Sequence, residues 1–96
     1  CKGLDKAGWF SRVPLTLFHG QSDDWTPIEP CLELAQNHHF DLIAYPNAYH
    51  SFDHPNLKIR ERTAAYTTRS DGMVTMGTNL EARTDAIRRV VDLFRE

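Results

Sequence analysis

The sequence predicts an α/β chain: a parallel strand–helix–strand unit followed by a long loop and a C-terminal helix. Three observations predict it. Two short apolar runs, Val13–Phe18 and Asp41–Tyr45, each give way to turn-forming residues, the pattern of strands covered on both faces. Between them Thr26-Pro27-Ile28-Glu29 combines a capping box with a proline at the first helical position. Near the end, Leu80, Ile87, Val90, Val91 and Phe94 recur at helical spacing and form one apolar face.

In chain order, Cys1–Arg12 is a polar lead-in with two glycines and the aromatic pair Trp9 and Phe10. Pro14 falls at the start of the first strand, where a missing N–H costs least. The strand opens into a loop carrying Asp23 and Asp24. The helix that follows should reach about Asn37 and bury Ile28, Cys31, Leu32 and Ala35. Pro30 stands where the fourth helical residue normally donates the first intrahelical bond. Either the first turn is distorted or the regular helix begins nearer Pro30. His38 and His39 end the helix, where cations favour the macrodipole.

The second strand, Asp41–Tyr45, stops at Pro46-Asn47 and leads to a loop presenting His50. Strand, helix and strand make one βαβ unit, expected to be parallel and right-handed. From His54 to Gly77 periodicity is lost and Gly72 and Gly77 act as breakers. A stretch of this length reads as a functional or lid-like loop. Thr78-Asn79-Leu80-Glu81 is a second capping box, which puts Thr78 at the start of the last helix. The apolar face of that helix needs a sheet to cover it.

Composition narrows the function classes. Ninety-six residues allow one small domain or a piece of a larger one, and 41% apolar content suits a globular chain. A net charge of −2 with no basic stripe excludes a nucleic-acid footprint. No apolar run approaches the about eighteen residues of a membrane span. Cys1 and Cys31 do not make a disulfide framework, so a cytoplasmic location is expected.

Asp23 and His50 carry the chemistry. They follow consecutive strands, and in open parallel sheets chemistry sits just past the carboxyl ends of strands. An acid there can orient a histidine arriving from the neighbouring strand end and balance its charge. Taken singly, each has a structural reading: a carboxylate after a strand also caps helices and forms turns, and a lone histidine also serves as a packing or surface residue. Their joint placement favours the chemical one. His50-x-x-x-His54 beside Asp53 falls in a loop with no second ligand pair, so no metal is expected. No cofactor is expected either. Arg60, Arg62 and Arg69 read as a solvated loop, or as contacts to an anionic substrate. Trp25 and Tyr49 flank the two loops and either pack or line a pocket for an apolar or aromatic acyl group.

His19-Gly20-Gln21-Ser22-Asp23 with Pro27 beyond it, then Tyr45-Pro46-Asn47-Ala48-Tyr49-His50-Ser51-Phe52, resembles the C-terminal third of the dienelactone hydrolase family of the α/β-hydrolase superfamily. The likeness extends through Asp24-Trp25-Thr26-Pro27 and Gly77-Thr78-Asn79 to Arg89-Val90, most of the chain. The resemblance implies the C-terminal part of an α/β-hydrolase fold, residues 1–96 forming a single domain that is a fragment of the whole. It also implies that Asp23 is the triad acid and His50 the general base, with Asp24 the second choice for the acid. The substrate would be a small-molecule ester or lactone.

One departure is decisive. The family's nucleophile sits on a Gly-x-Ser-x-Gly or Gly-x-Cys-x-Gly elbow, and here no two of Gly3, Gly8, Gly20, Gly72 and Gly77 stand four apart. Cys1 in its loop and Cys31 on its helix do not resemble elbow nucleophiles. The chain therefore supplies acid and base without the nucleophile or oxyanion hole. Two readings compete with this one: a non-catalytic interaction module that keeps the half-sheet, and a piece of a related serine peptidase or acyltransferase. A two-stranded sheet with open edges and an uncovered helix is also expected to self-associate through a surface that includes Val13–Phe18.

Overall fold

The computed structural model describes residues 1–95. Its elements are β1 (Thr16–Gly20), α1 (Glu29–His38), β2 (Asp41–Tyr45), β3 (Arg60–Thr63), β4 (Met73–Met76) and α2 (Leu80–Leu93). The result is a small α/β protein of two helices and short strands, in two two-stranded sheets.

β1 and β2 pair in parallel, with Thr16 opposite Asp41 and Gly20 opposite Tyr45. β2 has the expected bounds, but β1 lies later than the apolar run suggested. Val13 is 69% exposed, and Pro14 has no N–H to give a ladder. The strand instead runs on through His19 to Gly20, which is buried beneath the Ala48 backbone. A Cβ at position 20 would collide with the Ala48 carbonyl, so only glycine lets the two strand ends close up.

α1 starts at Glu29 with Ile28 as an N-cap that offers no side-chain bond, and Pro30 falls within the first two helical positions, where no intrahelical N–H is needed. Thr26 is therefore not the cap. The helix buries Cys31, Leu34 and Ala35, while Leu32, expected inside, is exposed. His39 ends it in a left-handed conformation (φ 57°) and donates its N–H to the Ala35 carbonyl. Cys1 and Cys31, which the sequence did not mark as a disulfide framework, form a disulfide that ties the N-terminal turns to α1. Asp5 reinforces the tie, accepting from Asn37 Nδ2 at 2.8 Å and meeting His38 Nε2 at 2.5 Å.

The stretch expected to be an irregular loop contains the antiparallel pair β3–β4, Arg60 opposite Met76 and Thr63 opposite Met73. β3 is exposed along its whole length and has no apolar alternation, while Val74, Thr75 and Met76 of β4 are buried. α2 is capped by Asn79, whose side chain accepts from the Ala82 N–H at 3.0 Å. Thr78, the expected cap, instead donates to the His54 carbonyl at 2.6 Å and accepts from the Leu57 N–H at 2.7 Å.

The main core cluster is Tyr45, Ala48, Phe52, Ala82 and Ala86, with Phe18 and Ile43 packed against it. α2 thus reaches the sheet through its two alanines. Leu80, Ile87, Val90, Val91 and Phe94 remain exposed, Phe94 at 85%, because two strands are too narrow to cover the helix face. The radius of gyration, 14.4 Å, exceeds the about 12–13 Å of a closed domain of this length. No described helix is long and apolar enough to cross a membrane.

Candidate active site

The loop after β1 and the loop after β2 are stapled together by backbone bonds. Gln21 N–H donates to the Tyr45 carbonyl at 2.8 Å and Ser22 N–H to the Ala48 carbonyl at 3.0 Å. Such closeness follows from the parallel register, which brings Gly20 and Tyr45 side by side, and from the absent side chain at Gly20.

Beyond the staples, Asp23 folds its carboxylate back over its own loop. Oδ1 accepts from the N–H groups of Trp25 (2.9 Å) and Thr26 (2.8 Å), and Oδ2 accepts from Thr26 Oγ1 at 2.8 Å. The Asp23 side chain is 7% exposed. His50 comes from the other loop, carried on a turn in which Ser51 adopts a positive φ of 62°. Its Nδ1 lies 3.2 Å from Asp23 Oδ2 and 3.4 Å from Thr26 Oγ1. Thr26 has already given its single hydroxyl proton to Asp23, so Nδ1–H is the donor that satisfies both oxygens. This leaves Nε2 as the bare, accepting nitrogen, and it has no hydrogen-bond partner among the described residues.

The indole of Trp25 packs on the imidazole with ring centroids 4.7 Å apart, and the Arg62 guanidinium lies 5.5 Å from the Trp25 ring centroid. Of the aromatic residues expected to flank the site, Trp25 touches His50 directly. Of the arginines, Arg69 is committed elsewhere. It donates to Asp71 at 2.5 Å, Glu61 at 3.2 Å and Thr75 Oγ1 at 3.1 Å. Asp71, then Glu61, hold its guanidinium above the ordinary arginine value. The Met73 N–H and Arg69 hold the Asp71 carboxyl below the usual range.

Asp24, the second choice for the acid, points the other way. It is buried, and its Oδ1 accepts from the Thr75 N–H at 2.8 Å. His54 turns to its own loop, accepting from the Asn56 N–H at 3.1 Å. Cys1 and Cys31 hold no free thiol, being joined to each other. Sequence reasoning missed Thr26 as a partner of the acid, because its place in a capping-box pattern assigned it to the helix. It also missed the hairpin that lies behind both loops.

Chemically, the arrangement is a carboxylate that fixes an imidazole with one nitrogen occupied and the other open. Such a pair can take a proton from a hydroxyl or thiol placed at Nε2 and return it to a leaving group. Comparison with protein-family models, curated proteins and solved structures finds no match, so the geometry of these residues is what a functional reading has to stand on.

Proposed function

We propose that this chain supplies the acid and base of a Ser/Cys-His-Asp triad in a hydrolase of ester or lactone bonds, as the C-terminal part of an α/β-hydrolase of dienelactone-hydrolase type. The observation that carries the reading is the Asp23–His50 pair at 3.2 Å with Nε2 unengaged. His50 is the general base, and Asp23 sets its tautomer and balances the imidazolium that forms. The nucleophile and the oxyanion-hole donors belong to residues outside this sequence, since neither cysteine is free and no glycine-flanked Ser or Cys elbow occurs. The partner is a small-molecule ester or lactone. A cytoplasmic location fits poorly with the Cys1–Cys31 bond, because disulfides persist mainly in oxidising surroundings; an oxidising compartment is the better reading.

A second reading has its own support. The exposed apolar face of α2, Ile87 to Phe94, suits a module that works by association. It would keep the strand-helix-strand unit without catalysis.

The test is hydrolysis of nitrophenyl esters by the 96-residue chain and by any longer polypeptide from the same reading frame. The chain alone should show no saturable turnover. A longer polypeptide carrying an elbow nucleophile should turn over and lose about 10⁴-fold in kcat with Asp23→Asn. Turnover by the chain alone that disappears with His50→Ala contradicts the proposal. So does a longer polypeptide whose hydrolysis ignores His50→Ala.

A further inference from the structure

Behind the two loops runs the open edge of β4, the edge not paired with β3. Thr75 N–H donates to Asp24 Oδ1 at 2.8 Å, and Gly77 N–H donates to the His50 carbonyl at 3.0 Å. His50 also forms an isolated parallel bridge with Met76. N–H groups two residues apart on an extended strand point to the same side and stand about 6.6–6.8 Å from one another. One short stretch, Thr75-Met76-Gly77, therefore grips the residue next to the acid with one N–H and the base residue itself with the other.

The grip on Asp24 has several points. Its carbonyl accepts from Thr68 N–H at 2.9 Å and Thr67 Oγ1 at 3.1 Å, both from the tip of the hairpin. Its Oδ2 lies 4.0 Å from Arg69 Nη1, and Arg69 also donates to the Thr75 hydroxyl. Asp24 is buried as a whole residue, as is Thr75, whose N–H it accepts. Among the described residues Asp24 shares no hydrogen bond with His50, whose Nδ1 meets Asp23 and Thr26 instead. Gly77 is specified as firmly: with φ 147° it sits where a side chain is strained, and a Cβ there would meet the Ile59 backbone at 2.6 Å.

We propose that Asp24 is a positioning residue. Its carboxylate takes the place that a neighbouring strand would occupy on β4, and the strand then fixes the separation between the Asp23 loop and His50. The inference rests on reading Asp23 and His50 as acid and base. It adds that their registration is set from the hairpin and not by the two loops alone. What Asp24 must provide is an acceptor for the Thr75 N–H; its charge is secondary, since Arg69 is 4.0 Å away and already bonded to two other carboxylates.

The test uses NMR on the intact chain, reading amide exchange at Thr75 and Gly77 and the tautomer of His50. Asp24→Ala should speed Thr75 exchange at least tenfold while Gly77 stays protected, and should reduce the fraction of His50 with its proton on Nδ1. Asp24→Asn, which keeps an acceptor, should restore both. A merely structural loss would speed the two amides alike and leave the tautomer unchanged in the folded fraction, and that result overturns the proposal. If Asp24→Ala does not fold, Asp24→Asn decides: retained Thr75 protection and tautomer support the proposal, while loss of either, or failure to fold, overturns it. These readouts do not involve hydrolysis. An inactive longer polypeptide would sink the hydrolase reading and leave the positioning result to stand or fall separately.

Discussion

Thr26 donates its hydroxyl to Asp23 at 2.8 Å, on the same carboxylate oxygen that faces His50. The acid is thus held from both sides, by backbone N–H groups on Oδ1 and by the hydroxyl on Oδ2. Thr26→Val should cost about 1.5–3 kcal/mol of stability, the worth of a hydrogen bond to a charged group. Thr26→Ser should keep most of it. Urea unfolding of the two variants checks this, and equal losses would show that the hydroxyl contributes nothing.

Gly20→Ala tests the closure of the two strand ends. The added Cβ would strike the Ala48 carbonyl, which also accepts the Ser22 N–H. Overpacking of this kind costs about 1–3 kcal/mol, and here it should also separate the acid and base loops. The expected result is a lowered denaturation midpoint together with faster exchange at the Ser22 amide. Wild-type exchange at Ser22 would show that the contact is not limiting.

The Tyr45–Asp85 bond gives a pH dependence with a sign on each side. Tyr45 Oη donates to Asp85 Oδ2 at 2.7 Å. Burial, then the Asp85 bond, push the tyrosine up to about 12. The Tyr45 hydroxyl, then Arg89 and Arg88, hold the Asp85 carboxyl well below its ordinary value. A lowered carboxyl means that the unfolded chain binds the proton better, so this contribution is present above the ordinary value of 3.8 and is lost as pH falls below it. The raised tyrosine contributes fully below 10.0 and loses that contribution as pH rises toward about 12. Tyr45→Phe should flatten stability at both ends, as followed by circular dichroism in urea from acid to alkaline pH. An unchanged profile would remove the bond from the account.

Self-association is the expected consequence of the uncovered helix face. Ile87, Val90, Val91 and Phe94 are all exposed, and the groove that α2 forms with Phe18 and Phe52 is about 380 Å³. Sedimentation should show a concentration-dependent dimer or larger species for the chain, shifted toward monomer by Val91→Glu. A monodisperse monomer at high concentration contradicts the expectation.

Much of this was legible in the sequence because it depends on strand-end chemistry. The parallel pairing of β2 with β1 and the approach of Asp23 to His50 follow from two apolar runs and two loop residues. The hairpin was not legible: Arg60-Glu61-Arg62-Thr63 has no apolar alternation, and its partner Met73–Met76 is too short to show a period. The first helix does begin beside Pro30, one of the two starts the sequence left open, but both threonine caps were misassigned for one reason. A threonine three residues before a glutamate marks a cap only if nothing else claims its hydroxyl, and here Asp23 claims that of Thr26 and the His54 carbonyl that of Thr78. Two cysteines separated by thirty residues gave no sign that the lead-in folds back onto α1.

The most direct test of the acid–base pair is the tautomer of neutral His50, read by ¹H–¹⁵N NMR. Asp23 Oδ2 and Thr26 Oγ1 both require a proton on Nδ1, so the wild type should be protonated at Nδ1 and bare at Nε2. Asp23→Asn should reverse this. The N–H groups of Trp25 and Thr26 demand an acceptor at the Oδ1 position, which leaves the amide NH₂ facing His50 and makes Nδ1 the acceptor. A proton that moves to Nε2 in Asp23→Asn is the predicted result. A wild type already protonated at Nε2, or a tautomer that ignores Asp23→Asn, would contradict the account.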